Sequence, residues 1–429
     1  MNRTSAFWAT TALLTSLAAT TAFAQETTGG IRGQIVNEQG APLANATVVA
    51  VHLPTGTQST TMTDATGTYT LRNLRVGGPY QVTVSSAQYD AQTAALANIG
   101  IGDPADLDIM VTAAASDAAR LDDIVVVGSA GPANLVTSPR STFNQNDIET
   151  LPSIGRDIKD FVRTSPFATT DASNGDALSI GGQSTRFNAF LVDGVRQGDD
   201  FGLNGNGYPT VRTPISVSLL EAITVEVAPY DVQYGSFTGG VVNSVTKSGG
   251  NSFSGEAFWE TTGDNLQGNT YSYEDFITGD TQNRTVSGEF EETSYGLTLS
   301  GPIIPDRLFF IAGYELFEST QPILSGPEGS GAAIEVPGIS QADIDNIRNI
   351  TQTVYGYDPL GATADSAIIS DEKYFAKIDW NITDRHRANV SYQQTENADF
   401  RLGSFSTSST FPNISLLSSS YTLTTNLTA

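Results

Sequence analysis

The stretch "LDDIVVVGSAGPAN", residues 121 to 134, holds the residue types and spacing that come nearest to a chemical motif. A β-branched strand followed by a glycine-rich turn opens a dinucleotide-binding unit, where backbone amides hold a pyrophosphate. The same run, with an acidic pair ahead of it, could instead add itself as a strand to the sheet edge of a partner. An ordinary sandwich strand is the third interpretation, since Val and Ile favour strands.

The dinucleotide interpretation fits poorly. It needs Gly at the first, third and sixth loop positions, and counting from Gly128 the later two are Ala130 and Ala133. Pro132 stands where a helix should begin to face the phosphates. The residues "STFNQN" before a possible ribose-binding carboxylate are not predicted to form a strand. A flavin or nicotinamide enzyme is therefore the least favoured class, and no cofactor is expected.

Composition narrows the choice further. The chain has 429 residues, a formal net charge of −25, no Cys and two His. Such acidity argues against nucleic-acid binding, because phosphate contacts need clustered Lys and Arg. Without Cys there are no disulfides, thiolate nucleophiles or thiolate metal sites.

The first 24 residues predict export. Arg3 precedes a short apolar stretch, and Ala22 and Ala24 give the small-x-small pattern that signal peptidase cleaves, here before Gln25. A membrane anchor is the alternative, but the Thr-interrupted stretch is shorter than the ~20 apolar residues that span a bilayer.

Short alternating strands separated by turn residues follow, over residues 25–113, and predict a small β-sandwich. Within it Asp64 and Gly67 match a tight turn better than a calcium loop. The linker 114–135 contains the opening stretch.

Residues 136–248 mix short helices with strands and predict an α+β unit. In "IGRDIKDFVRTSPF" Ile158, Phe161 and Val162 share a helix face. Arg186 and Asp193 are expected to make structural contacts, because no His, Cys or Lys stands nearby to complete an acid–base set. We predict no catalytic residue and no metal site.

From residue 249 to 429 the strands alternate apolar with polar residues, as "KYFAKIDWN" shows, and their connections switch between short and long. One face suits lipid and the other water. Short periplasmic turns and long external loops are typical of a transmembrane β-barrel. In the second long loop, Ser340 as an N-cap and apolar residues along one side of the segment after it predict a helix. Aromatic residues are expected to form girdles at the membrane interfaces: Trp259, Tyr295, Phe309, Phe310, Tyr374 and Trp380.

Several motifs resemble known families. "GQIVNEQGAPLANATVVA" with "TDATGTYTLRNLRVGGPYQVTV" resembles the carboxypeptidase regulatory-like domain. "DDIVVVG" resembles a TonB box, and "IGGQSTRFNAFLVDGV", "LLEAITVEVAPYDVQYG" and "GGVVNSVTKSGGNSFSG" resemble the plug of TonB-dependent outer-membrane receptors. "SGPIIPDRLFFIAGYELFE" is most similar to the Oar-like branch of that family, whereas SusC-type receptors end the plug differently. The resemblance covers nearly the whole chain.

The resemblance implies a mainly β chain: a transthyretin- or immunoglobulin-like sandwich, an α+β plug and the first strands of an antiparallel, incomplete barrel. About six strands are visible against roughly 22 in such transporters, so we expect the N-terminal part of a longer receptor. It also implies import of a scarce solute (siderophore, glycan or peptide) in the Gram-negative outer membrane, with sandwich and box in the periplasm.

The implied partners are outer-membrane lipid and TonB, with ExbB and ExbD in the inner membrane. The box residues that TonB would bind are Asp123, Ile124, Val125, Val126, Val127 and Gly128. A weaker prediction places solute contacts on the plug apex, at Asp199, Asp200, Asn204, Asn206 and Tyr208. The alternative function is an adhesin or assembly factor that binds protein or glycan partners without import.

Overall fold

The computed structural model describes most of the chain after the predicted signal peptide. The described residues are 27–102, 104–113, 126–127, 139–153, 155–171, 176–199, 204–229, 237–266, 268, 270–274, 279–285, 290–322, 325–330, 334–356, 366–383, 386–404, 410–414 and 418–428. Within them no helix is long and apolar enough to span a membrane.

The first unit is a β-sandwich. One sheet has the order β4-β1-β7 with β8 also on β1, and the other has the order β3-β2-β5-β6-β9. The strands are β1 (Thr28–Asn37), β2 (Thr47–His52), β3 (Thr57–Met62), β4 (Thr68–Arg75), β5 (Tyr80–Ser86), β6 (Tyr89–Leu96), β7 (Pro104–Asp106), β8 (Ile109–Val111) and β9 (Val126–Val127).

Alternating apolar residues from the two sheets fill the core of the sandwich. Ile35, Val48 and Val82 are fully buried there, and the Tyr69 hydroxyl donates to the Leu107 carbonyl at 2.7 Å. The turn after β3 is tight, because the Asp64 carboxylate accepts the backbone N–H of Thr66 and Thr68. The Thr66 hydroxyl also donates to this carboxylate, and that hydrogen bond, followed by the two from the backbone, holds the pKa of Asp64 below its usual range.

The second unit, which we call the plug unit, is α+β as predicted. Its five-stranded sheet has the order β10-β15-β16-β13-β14, with a separate β11-β12 hairpin. The strands are β10 (Arg140–Asn144), β11 (Ala168–Asp171), β12 (Ala177–Ile180), β13 (Ala189–Val192), β14 (Val195–Arg196), β15 (Leu220–Val227) and β16 (Gly240–Thr246), and the helices are α1 (Gln145–Thr150) and α2 (Ile158–Val162).

Local sequence explains both helices. Asn144 and Asp147 form a capping box at the start of α1, and the Asp157 side chain caps α2. Ile158, Phe161 and Val162 are buried, as their spacing predicted. The prediction that "STFNQN" is no strand was wrong, since Arg140–Asn144 pairs antiparallel with β15. Pairing with a buried strand outweighs the low β propensity of its polar residues.

The third unit is one curved antiparallel sheet, which we call the wall. Its strands pair in the order β17-β20-β21-β24-β25, with β26 and β27 both on β25. They are β17 (Ser254–Gly263), β20 (Glu291–Ile304), β21 (Leu308–Pro322), β24 (Ser366–Thr383), β25 (His386–Ser404), β26 (Thr410–Ile414) and β27 (Ser418–Thr428). Three residues join β20 to β21 and two join β24 to β25, so the predicted alternation of short and long connections is confirmed.

The long connections carry structure of their own: β18 (Thr270–Glu274), β19 (Thr281–Thr285), β22 (Ser325–Glu328), β23 (Ile334–Ser340) and helix α3 (Gln341–Tyr355). Ser340 and Asp343 form a capping box at the start of α3, and Gly356 ends it with a left-handed φ of 67°. The helix prediction based on Ser340 is confirmed. Ile347 and Val354 are exposed on it.

Successive side chains of each wall strand point to opposite faces of the sheet, as the alternation of apolar and polar residues predicted. Leu297, Ile378 and Trp380 are about half exposed on the outer face. Lys373 and Asp379 point inward and are buried against the plug unit. Phe309 was wrongly assigned to an interfacial girdle: it is fully buried, because it falls on the inward phase of β21.

The sandwich core gives a stability prediction. Ile35→Ala removes a fully buried side chain and should cost about 2–5 kcal/mol of the sandwich's unfolding free energy. Met110→Ala, at a residue that is 56% exposed on the neighbouring β8, should change it by less than about 0.5 kcal/mol. Pulse proteolysis across a urea series, which follows loss of the sandwich, measures both. Equal midpoints for the two variants would contradict the assigned core.

Candidate functional site

The predicted TonB box lies at the boundary of the described chain. Val126–Val127 form β9, which runs parallel to β6 with Val126 opposite Ala94 and Val127 opposite Ala95. Asp123, Ile124, Val125 and Gly128 lie outside the described residues, as do Ala22, Ala24 and Gln25 of the predicted cleavage site. The role of all these residues stays a prediction.

The position of β9 matters for its availability. It is the last strand of its sheet, held by one neighbour, β6. An edge strand has one row of backbone N–H and C=O groups that is not paired within its sheet. With two residues, β9 makes only a short ladder with β6. The segment is therefore extended and attached at an edge, not enclosed between two strands.

The predicted apex residues have internal partners. Asn204, Asn206 and Tyr208 are all less than 9% exposed. The Asn206 amide donates to the Thr210 and Val211 carbonyls at 3.2 and 2.6 Å, and the Tyr208 hydroxyl donates to Asp157 at 2.8 Å. The polar groups of these side chains stabilise the loop from inside. Sequence alone does not distinguish such buried side chains from side chains that face a solute. Burial raises the pKa of Tyr208 well above its usual value, so it stays a donor.

The other two apex residues differ. The Asp199 carboxylate accepts the backbone N–H of Asn204 at 2.7 Å, and Asp200 lies outside the described residues. Solute contact by this loop stays a prediction.

Asp193 has the structural role that the sequence favoured. It sits in the turn between β13 and β14 with a left-handed φ of 46°. Its carboxylate accepts the Thr246 backbone N–H at 2.8 Å and lies 3.6 Å from the Lys377 ammonium of the wall. Lys377 also donates to the Thr246 hydroxyl at 3.0 Å. Asp193 therefore links two plug strands to the wall.

A buried ionic cluster makes a second link between plug unit and wall. Lys373 of β24 donates to Glu315 of β21 at 2.9 Å and also pairs with Asp371. The second oxygen of Glu315 accepts the hydroxyl of Ser216, a plug residue, at 2.6 Å. All three charged residues are at most 3% exposed. Because the charges are paired and hydrogen-bonded, they can be buried without a large unpaired cost.

Backbone groups of the plug complete this anchor. The Pro214 carbonyl accepts Gln393 at 2.8 Å and Thr395 at 2.7 Å, both from β25. The plug loop around Pro214–Ser216 is thus held by β21 and β25, the strands on either side of β24.

The sandwich meets both other units at the end of the wall that carries the short turns. We call this contact region the seat; it comprises Arg75, Val76, Gly77 and Ile101 of the sandwich, Glu221, Ala222, Val245 and Ser248 of the plug unit, and Asp379 and Asn381 of the wall. Arg75 pairs with Asp379 at 3.1 Å, and donates to Asn381 and to Ser248 at 3.2 Å each. The Arg75 and Asp379 side chains are 12% and 3% exposed.

Apolar side chains form the other half of the seat. Val76 and Ile101 pack with Ala222 and Val245 in one buried cluster. Gly77, with a φ of 95°, lies against the Glu221 carboxylate so closely that a Cβ would collide with it. Only glycine suits both that backbone conformation and that approach.

Burial at the seat shifts the pKa values of two side chains. It raises the pKa of Glu221 to about 7, against the opposing effect of Lys247. Burial, together with the charges of Arg75 and Arg387, lowers the pKa of His52 to about 3, so His52 is neutral. A cavity of about 530 Å³ opens beside the seat, lined by both signs of charge, including Arg75, Glu221, Lys247 and Arg387.

Sequence reasoning missed the seat and the ionic cluster. Arg75 and Asp379 are 304 positions apart, and Lys373 is 58 from Glu315. The one usable signal was the alternation along β24, which puts Lys373, Lys377 and Asp379 on the inner face. It indicates that these charges need partners but does not identify the partners. In the described part of the chain, His, Asp and Glu side chains form no cluster that could hold a metal ion.

The ionic cluster gives a prediction. Lys373→Met leaves Glu315 and Asp371 buried beside each other without their cation, at a cost of about 3–5 kcal/mol. The receptor should unfold at a lower temperature in a heat-modifiability gel assay. Adding Glu315→Gln and Asp371→Asn should recover most of the loss; no recovery would show that the lysine acts by packing alone.

Glu221 gives a pH prediction. Its pKa is raised from 4.5 to about 7 in the folded protein, so its contribution to stability is present below the unfolded value and is lost as pH rises from about 4.5 to about 7. Glu221→Gln should match wild type in melting temperature near pH 4 and exceed it near pH 8. Glu149→Gln, at an exposed carboxylate 3.5 Å from the same Lys247, is the control. A Glu221→Gln melting profile parallel to wild type would contradict burial of the charge.

Family models match the three units in order. Residues 30–112 match the carboxypeptidase regulatory-like domain, residues 132–242 the TonB-dependent receptor plug domain and residues 245–326 an outer membrane beta barrel domain. The domain boundaries predicted from sequence agree in order with these spans and stay predictions in detail.

Two curated relatives match parts of this chain. The TonB-dependent transporter Oar of Myxococcus xanthus is 28% identical over 306 residues, which cover 68% of this chain and 27% of the relative. An iron-regulated outer membrane virulence protein of Vibrio cholerae is 29% identical over 182 residues, covering 40% and 26%. The chain thus spans about a quarter of the length of these relatives.

Among solved structures, the outer membrane transporter YddB from Escherichia coli is similar with a TM-score of 0.44 and 19% identity, over 67% of this chain and 36% of that one. The family assignment rests on the three sequence matches and the Oar relative. The chain belongs to the TonB-dependent outer-membrane receptors, and carries a carboxypeptidase regulatory-like domain ahead of its plug.

Proposed function

We propose that this chain serves the import of a scarce extracellular solute across the Gram-negative outer membrane, driven by TonB. The observation that carries the proposal is the polar anchoring of the plug inside the wall. Hydrogen bonds and ion pairs hold the plug at Ser216–Glu315 and Asp193–Lys377, beside an apolar contact of Ile311 and Phe375 with the plug core. Polar contacts can be exchanged for water one at a time, so a plug held in this way can shift and return.

The energy source would reach the plug through the box. TonB, with ExbB and ExbD in the inner membrane, is the proposed partner, and Asp123 to Gly128 are the proposed contact residues. TonB would pair with the box as an added strand, for which backbone N–H and C=O groups supply the affinity. The extended backbone and edge position of Val126–Val127 support this mode.

The order of units supports the same route. The box precedes the plug in sequence, so a pull on it is transmitted to β10, the first strand of the plug sheet. β10 pairs only with β15 in that sheet and is therefore an edge strand, which can be peeled with less disruption than a central one.

The solute class is proposed as siderophore, glycan or peptide. Comparison of the culture medium after growth of wild-type, receptor-deletion and TonB-deletion strains, by untargeted mass spectrometry, would identify it as the compound that only wild type removes.

A proline substitution tests the box. Val126→Pro removes one backbone donor and should lower the affinity of the receptor for the purified periplasmic domain of TonB about 5- to 150-fold, since one unmade hydrogen bond in a ladder costs about 1–3 kcal/mol. Ala118→Pro, in the same linker but outside the box, should bind normally. Calorimetric titration measures both.

The same variants separate import from the alternative function. Outer-membrane levels of Val126→Pro should equal wild type, while TonB-dependent removal of solute from the medium is lost. If the Val126→Pro receptor removes the solute at the wild-type rate, the box assignment is wrong. Receptor-dependent adhesion that persists after deletion of residues 122–128, with no solute removed by wild type, would favour the adhesin or assembly factor.

A further inference from the structure

The guanidinium of Arg75, a sandwich residue, makes hydrogen bonds to both the plug unit and the wall. Its acceptors are Ser248, just after the last plug strand, and Asp379 and Asn381 on β24. The contact is charge-assisted and mostly shielded from water, which makes it stronger than an exposed ion pair. A domain that was only tethered nearby would not bury an arginine against two other units.

Two further sets of contacts surround Arg75. Toward the plug, Val76 and Ile101 bury Ala222 and Val245. Toward the wall, the Asn381 amide donates to the Thr57 hydroxyl at 3.1 Å, and Arg387 donates to the Asn73 carbonyl. The apolar half therefore contacts the plug, and the polar half contacts the wall and, through Ser248, the plug as well.

The backbone adds a fourth contact at the same end. Asn251, which links the plug to the first wall strand, donates its backbone N–H to the Pro54 carbonyl at 2.7 Å. Asn251 also exchanges hydrogen bonds with Asp306 in the short turn between β20 and β21. The sandwich thus crosses the plug–wall boundary at the periplasmic end.

We infer that the regulatory-like domain is a clamp that keeps the plug seated in the wall, with Arg75 as the residue that joins the two. The plug has anchors of its own at Pro214–Ser216 and at Asp193. The wall partner of Asp193 is Lys377, two residues before Asp379 on β24, so the sandwich adds a further hold on the plug at this end. Release of the seat is then a step that must accompany any movement of the plug. The inference goes beyond the import function and does not depend on TonB.

The seat can be tested by thiol labelling, because the chain contains no cysteine. Ala222→Cys places a small thiol beneath Val76 and Ile101. In the full receptor, in cells that lack TonB, N-ethylmaleimide should label it slowly. Adding Arg75→Glu sets a carboxylate against Asp379 and should raise the labelling rate at least about tenfold, through local opening of the seat. Adding Arg72→Glu, the same charge change at an exposed position of the same strand, should not.

Plug retention is read separately with vancomycin, which an intact outer membrane excludes. Cells with Arg75→Glu should become more sensitive to it than cells with Arg72→Glu at equal receptor levels. A disulfide between Thr57→Cys and Asn381→Cys, whose native side chains are 3.1 Å apart, should restore resistance to the Arg75→Glu receptor until it is reduced. A disulfide between Thr261→Cys and Thr293→Cys, on neighbouring wall strands with hydroxyls 3.2 Å apart, should not restore it.

Each other result overturns the clamp. Fast labelling without Arg75→Glu, or slow labelling with it, would mean that Arg75 does not hold the seat. Fast labelling with unchanged vancomycin sensitivity would mean that the sandwich leaves without loosening the plug. Sensitivity that persists in the Thr57–Asn381 disulfide receptor would place the effect of Arg75 elsewhere. Because TonB is absent throughout, these results are independent of the box.

Discussion

A charge buried without a partner costs several kcal/mol, and the inner face of the wall buries several charges. Lys373, Lys377 and Asp379 project from one strand toward the interior. Each finds its partner on another element: Lys373 on β21, Lys377 on the plug and Asp379 on the sandwich. The fit of plug and sandwich to the wall therefore follows from the need to satisfy these groups.

The outer face is under the opposite constraint. Strands in lipid must present apolar side chains outward and pair all their backbone groups. β20 shows the outcome, with Leu297 and Leu299 about half exposed, while its backbone pairs with β17 on one side and β21 on the other. Because side chains alternate between the two faces of the sheet, one strand contacts lipid on its outer face and the plug on its inner face.

Much of this could be predicted from sequence, because it depends on local pattern. Alternation identified the wall, three-and-four spacing identified α2, and Ser340 identified the start of α3. The errors have physical causes. β10 and the Thr-rich β3 have little apolar pattern of their own, and they become strands by pairing with β15 and β2. Solute contact by the apex loop stays a prediction, and the structure adds that the polar groups of Asn206 and Tyr208 have partners within the protein.

The seat was beyond sequence reasoning for a different reason. Its charged pair joins positions 304 residues apart, on units that resemble separate families. A single arginine in "LRNLRVGG" carries no sign of the aspartate that it will meet. Such pairings become visible only when the units are assembled.

The pairing of β9 with β6 also bears on the passage of the chain through the periplasm. An uncovered strand edge can template pairing with other chains and so promote aggregation. Val126–Val127 cover Ala94–Ala95 on that edge, within a part of the chain that is made and exported before the wall. While the wall strands still await insertion, the edge at this point is a strand of two residues, which offers neighbouring chains few backbone groups to pair with.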